Sequence, residues 1–128
     1  MNGKDDVKWI GDSNYYIEGN TLHISAAGDV DDTVASAVRE AALDVMQRSD
    51  EKVNCVIDLN KAGKQSAKAR QVYRELGEHP KAGKIALFGM HPVARVLAAF
   101  VIGLIQTQNV RFFKTQEEAL AWLKAKEK

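Results

Sequence analysis

The chain of 128 residues is 45% hydrophobic, balances 18 Lys and Arg against 17 Asp and Glu, and has a single cysteine. That length supports one domain with a core of its own, and a net charge of +1 supplies no global pull toward nucleic acid or membranes. One cysteine excludes a disulfide framework and points to a reducing, cytoplasmic compartment.

Residues 1–14 read as an irregular lead-in, with the domain proper over 15–128. Apolar positions alternate on both sides of Gly19-Asn20, which predicts a tight hairpin from Tyr15–Glu18 and Thr21–Ala26. A helix follows from Asp31 or Asp32, either of which can cap it, with Val34, Val38, Ala41, Ala42 and Val45 at helical spacing. Residues 53–59, VNCVIDL, are β-branched and nearly free of polar alternation, as a parallel strand covered on both faces requires. After a loop at Gly63, residues 66–77 read as a helix capped by Ser66, with Ala69, Val72, Tyr73 and Leu76 inward and Gly77 as its stop.

Residues 84–90, KIALFGM, form a further buried strand, after which His91 and Pro92 open the next helix. NVRFF, 109–113, is the last strand, and Thr115 with Glu118 makes a capping box for a final helix whose contacts come from Ala119, Leu120, Trp122 and Leu123. The order β-β-α-β-α-β-α-β-α predicts an α/β fold. Its sheet is mostly parallel, of about five strands, with right-handed crossovers and an antiparallel hairpin at the N-terminal edge.

The helix over 93–106 carries one fixed charge, Arg95. Val93, Val96, Leu97, Phe100, Val101 and Leu104 share a stripe at about 100° per residue, the pattern of a core-facing side. Its back, Arg95, Ala98, Ala99, Ile102 and Gln106, is small or apolar apart from two polar members, and Ala98, Ala99 and Ile102 there form the expected homodimer face. A bilayer span would need about 20 apolar residues, and the greasy run over 96–105 is half of that. Charge is uneven too: residues 29–58 hold eight acids and three bases, and 61–84 hold seven bases and two acids, which makes opposite patches or simply solvated helix faces.

The element order, the strand ending Ile57-Asp58-Leu59, and the close VRFFKTQEEALAWL over 110–123 resemble the STAS domain and, within it, the SpoIIAA-like branch. That branch is also compared in fold with lipid-carrying CRAL-TRIO domains. The resemblance covers residues 15–128 and implies a non-enzymatic interaction or regulatory module. In the family's anti-sigma factor antagonists, the strand ending in Asp-Leu leads to a loop whose serine is phosphorylated by a partner kinase. Asp58 and Leu59 match, and Ser66 falls at about the expected spacing, but Lys64 and Gln65 before it and Ala67 and Lys68 after it replace the usual acidic residue and glycine.

The implied partner loop is Asp58, Lys61, Lys64, Ser66, Lys68 and Arg70, where lysines and a helix N-terminus would stabilise a phosphate. Plain helix capping is the other reading of Ser66. The resemblance also implies that the 93–106 helix can stand off the sheet over an apolar cavity lined by Phe88, Met90, Leu97, Phe100, Val101 and Leu104. A carrier of lipid or another hydrophobic small molecule would need such a space, whereas a filled core needs none.

No catalytic constellation accompanies these features. The three histidines, His23, His79 and His91, lack metal-ligand spacing, Cys55 sits among apolar neighbours that oppose a thiolate, and no nucleotide-binding or nucleophile-elbow motif occurs. Lys68, Arg70 and Arg74 make a basic helix side without interleaved aromatics, which argues against nucleic acid. The expectation is therefore no metal, no cofactor, and a partner that is a protein or a small apolar molecule.

Overall fold

The computed structural model describes residues 7–105 and 109–125, so the expectations for 1–6, for 126–128 and for Gln106 lie outside the described residues. The predicted hairpin is present and longer: β2 (Ser13–Glu18) turns at Gly19, whose φ is +62°, into β3 (Thr21–Val30). A positive φ at the first turn residue is the geometry that glycine supplies without a Cβ clash.

The same device recurs upstream and corrects the irregular lead-in. Gly11, φ +60°, links β1 (Lys8–Ile10) to β2, with Trp9 opposite Asn14 and Ile10 opposite Ser13. The sheet thus has six strands, in the order β1 to β6, with β1, β2 and β3 antiparallel and β3 to β6 parallel.

Asp31 caps α1 (Asp32–Arg48) by accepting from Val34 N, and Ala35, Ala42, Val45 and Met46 are its buried residues. The next strand, β4 (Val53–Gln65), runs well past the expected loop at Gly63. It does so because β3 also continues and pairs with it, Ala27 with Lys61, Gly28 with Ala62 and Val30 with Gln65, across two register shifts. Gly63 permits this approach, since a Cβ there would stand 3.0 Å from the Gly28 carbonyl, and the Asp29 carboxylate accepts from Lys64 N at 2.8 Å. The basic "loop" is therefore partly strand.

Then follow α2 (Ala67–Gly77), β5 (Ala82–Phe88), α3 (Pro92–Leu104), β6 (Val110–Phe113) and α4 (Gln116–Lys124). The capping box at Thr115 and Glu118 is formed, and His91 caps α3 through Nδ1, which accepts from Val93 N. The crossovers β3–α1–β4, β4–α2–β5 and β5–α3–β6 all step the same way across the sheet. Right-handed connections then put α1, α2 and α3 on one face. The last helix, being no crossover, folds back on the other face and packs Ala119 and Leu123 against Val56, Ala86 and Phe88.

The three crossover helices do not sit alike. α3 lies close on the sheet, with Ala94, Ala98, Val101 and Ile105 buried against Leu59, Leu87 and Val110. Short side chains allow that close seat. Glycines tighten it at both ends: a Cβ on Gly89 would lie 2.5 Å from the Ala94 methyl, and one on Gly77 would lie 2.7 Å from Ile105. α2 instead packs mainly against α1 and α3, where its Ala69 and Val72 meet Ala35 and Val30. It reaches the strands mainly at their C-terminal ends, through Val30 of β3 and Gln65 of β4.

The seat of α3 is rotated from the expected phase: Val101 is buried and Leu97 half-buried as expected, but the edge of the stripe has moved. Ala98 is 1% exposed, while Val93 and Val96, assigned to the core side, are 43% and 69% exposed. A helix apolar almost all round does not announce its phase, and close packing selected the small residues. Ala98→Leu should accordingly cost about 1–3 kcal/mol by overpacking, whereas Val96→Ser should stay within about 0.5 kcal/mol, as surface changes do. Urea denaturation of the two variants measures both.

Candidate functional site

Two features on the helix-covered face merit a functional reading. One is a partly open space under the helices and one is on the outer surface.

Beneath α2 the sheet and helices leave an apolar cavity of about 150 Å³. Its floor is Leu22, Ile24, Cys55, Ile57 and Ile85, its walls include Val38, Ala42 and Met46 of α1 and Leu97, Val101 and Ile105 of α3, and its roof is Tyr73, Leu76 and Gly77 of α2. Ile24, Cys55, Ile57 and Ile85 lie in inner strands under a helix layer, yet each keeps free surface, and each lines this space. Left empty, a cavity of this size costs roughly 3–4 kcal/mol on the scale of core truncations.

Its polar equipment is sparse. Ser13 Oγ is engaged with Ala27, donating to the carbonyl at 3.2 Å and accepting from the amide at 2.9 Å. Burial pushes the Cys55 thiol up to about 12, which keeps it protonated and inert. At the remaining polar end the Tyr73 hydroxyl donates to Gln65 Oε1, and Gln65 Nε2 donates to the Gly63 carbonyl at 3.0 Å. Burial raises the Tyr73 hydroxyl to about 12 as well.

The cavity differs from the expected one in place and lining. Leu97 and Val101 line it as anticipated. Phe88, however, points to the opposite sheet face and packs with α4, because neighbouring strand residues alternate sides. Met90 is 75% exposed in the turn before α3, its amide held at 2.8 Å by Asn60 Oδ1. Phe100 is half-buried at the edge of the α3 core, Leu104 is half-buried, and α2 rather than α3 forms the roof. A volume of 150 Å³ is half the lower bound of ordinary ligand pockets, about 300–1,000 Å³, and gives a long-chain lipid carrier no support.

The surface feature joins α2 and α3. Ser66 caps α2 by accepting from Ala69 N at 3.1 Å, with Lys64, Lys68 and Arg70 exposed beside it in the chain, whereas Lys61, also exposed, lies five residues back along the extended β4, about 16 Å away. Arg70 lies over the Phe100 ring, 5.7 Å from its centre, which carries the basic edge onto α3. There Val93, Val96 and Ala99 turn outward. Asp58 does not join this surface: its carboxylate accepts from Asn60 N and Nδ2, both at 2.9 Å, and it lies with Val56, His23 and Phe88 on the α4 side of the sheet.

The Ala98, Ala99 and Ile102 dimer face is likewise broken up. Ala98 is sealed inside, Ile102 is half-buried against the α3 core, and Ala99 alone is exposed. Sequence reasoning missed Val93 and Val96 as surface, Gln65 as the partner of Tyr73, and Asn60 as the clamp on the β5–α3 corner. Gly89 held a signal for close docking of α3, since only a residue without Cβ fits against Ala94 there. Among the described residues, no group of three or more His, Cys, Asp or Glu is placed to hold a metal ion, and no helix is long and apolar enough to cross a membrane.

A mostly parallel sheet with an antiparallel N-terminal edge, three helices on one face and a fourth on the other is an α/β fold of SpoIIAA-like type. The SpoIIAA-like family model matches residues 21–124, and the chain belongs to that family. Among solved structures it is similar to a Shewanella loihica protein described as having a SpoIIAA-like fold (19% identity, 91% of this chain and 90% of that one, TM-score 0.57). It is also similar to an anti-sigma factor antagonist from Mycobacterium paratuberculosis (18% identity, 98% and 100%, TM-score 0.65). A third is the phosphorylated form of the Bacillus cell fate determinant SpoIIAA (18% identity, 93% and 98%, TM-score 0.56). At these identities the likeness is one of fold. No curated protein matches the sequence.

Ser66→Ala should cost about 1 kcal/mol by loss of the cap, and Ser66→Asp only a few tenths, because aspartate caps as well as serine. Denaturant titration distinguishes them. The two buried acids also set an alkaline limit. Folding raises Cys55 from 9.0 and Tyr73 from 10.0 to about 12 each, so the stability they lend is complete below about pH 9 and is lost as pH climbs toward 12. Thermal melts from pH 7 to 11 should fall over that window, and Tyr73→Phe should lessen the fall above pH 10.

Proposed function

We propose that the protein is a non-enzymatic regulatory module that binds a protein partner through the continuous α2–α3 surface. The observation that carries this reading is the outward apolar strip of α3, Val93 and Val96 at 43% and 69% exposure, joined by Arg70 and Phe100 to the lysines around Ser66. Exposed aliphatic side chains lined up on one helix mark an interaction site more often than chance. The flanking cations fit a partner with an apolar centre and acidic borders.

Ser66 is the switch in this reading. A phosphate there would meet the N-terminus of α2 and offset the charges of Lys64 and Lys68, changing the sign of the surface beside the strip. The phosphorylated SpoIIAA among the similar structures supports a phosphorylation-controlled mode for this fold. A homodimer, if formed, would use the same strip, because Ala98 is inside. The single, half-buried Cys55, whose thiol is held protonated, supports a cytoplasmic setting.

Val96→Asp tests the reading, since it alters the strip at a position that bears little on folding. Quantitative affinity purification of the full chain from its native cells should return a specific protein, or a second copy of the chain, with wild type and lose it at least tenfold with Val96→Asp, at an unchanged melting temperature. An identical set of bound proteins for both chains would overturn it.

A further inference from the structure

We propose that the α4 side of the sheet carries a binding site for a neutral polyhydroxylated molecule, of the class of a monosaccharide, centred on Asn14, Ser25 and Asp58. This site is on the sheet face opposite the α2–α3 partner surface and does not rest on that reading.

Strand register brings the site together. Trp9 stands opposite Asn14, Asn14 opposite Ser25, Ser25 beside Asp58 and Asp58 beside Phe88, so these side chains share one face in a single row across β1 to β5. The middle of the row is polar and its two ends are aromatic. At strand spacings of about 4.8 Å the polar trio spans roughly 10 Å, and Trp9, 66% exposed, stands about 5 Å beyond it. An open pocket of about 90 Å³ is lined by the trio together with Tyr16, His23 and Gln116, the first residue of α4.

Much of the hydrogen-bonding capacity of this pocket is unspent. His23 is engaged by the Tyr16 ring, stacked on it at 4.4 Å, and by the Glu18 carboxylate, 3.6 Å from Nε2. Asp58 Oδ1 accepts from Asn60 N and Nδ2, which leaves Oδ2 as an acceptor. The side chains of Asn14, Tyr16, Ser25 and Gln116 make no hydrogen bond to another described residue. Two amides, two hydroxyls and a carboxylate oxygen thus line one space, with donors and acceptors mixed.

That mixture selects the occupant. Adjacent hydroxyl groups both donate and accept and can satisfy it, whereas an ammonium group only donates. No described Lys or Arg lines the pocket, and an anion would be repelled by the Asp58 carboxylate. A volume near that of three liquid waters takes the edge of a ring. The remainder extends along the row toward Trp9, whose apolar ring suits the C–H face of a sugar.

The experiment is an NMR titration of the full chain, read at the side-chain amides of Asn14 and Gln116 and the indole N–H of Trp9. The probes are glucose, galactose, mannose and myo-inositol, with methylammonium chloride as the cationic control. A few hydrogen bonds on an open pocket predict millimolar affinity, so each probe is taken to about 100 mM. At least one of the four should shift all three signals, with the same affinity at low and high salt, since no charge is neutralised. Ser25→Ala should weaken that probe about fivefold, the worth of one net hydrogen bond, and Trp9→Ala should weaken it about threefold by loss of the ring. Three results would each overturn the proposal: no shift of these signals with any of the four, methylammonium binding as tightly as the best of them, or an affinity that survives both substitutions. The first two need no variant to fold.

Discussion

The handedness of β–α–β connections fixes most of what this molecule can do. From β3 to β6 every strand is laid down on the same side of its predecessor, and a right-handed crossover that always steps in one direction has only one sheet face for its helix. Three helices are thereby crowded onto one side, and the other side is left to α4, which covers β4, β5 and β6. Toward the β2 edge of that side Tyr16 stacks on His23 at 4.4 Å.

Crowding three helices over a four-strand parallel region leaves them unequal. α1 and α3 reach the strands, α3 most closely because Ala94 and Ala98 present almost no side chain to the sheet. α2 packs its small face, Ala69 and Val72, against Ala35 of α1 and Val30 at the end of β3. Tyr73 and Leu76 are too few to fill the space below it, and the cavity is what remains. The choice of small residues for the inner side of α3 has a second result, because the larger Val93 and Val96 are left facing out. One helix therefore supplies both a wall of the cavity and the apolar strip on the surface.

The order of elements was legible because its signals are local. Asp31, Ser66, His91 and Thr115 each cap a helix by accepting from a backbone amide, and Gly19 marks its hairpin by the φ only glycine takes easily. The strand segments that escaped notice were either very short or polar. β1 is three residues at an edge, and the second half of β4, Asn60 to Gln65, is held by pairing with the end of β3 rather than by apolar alternation. Tertiary pairing overrode composition in both places. The site was less legible than the fold, since the phase of α3 follows from a close approach between Gly89 and Ala94, and the cavity from the height of α2, and neither height nor approach is written in periodicity.

The claim on which the functional reading depends is that α3 sits with Ala94 and Ala98 on the sheet and Val93 and Val96 outward. Methyl relaxation in the presence of a soluble, uncharged gadolinium chelate reports it directly. The methyls of Val93 and Val96 should relax strongly and those of Ala94 and Ala98 hardly at all. Protection of the valines with relaxation of the Ala98 methyl would mean that the helix is turned the other way, and would remove the surface strip and redraw the α3 wall of the cavity.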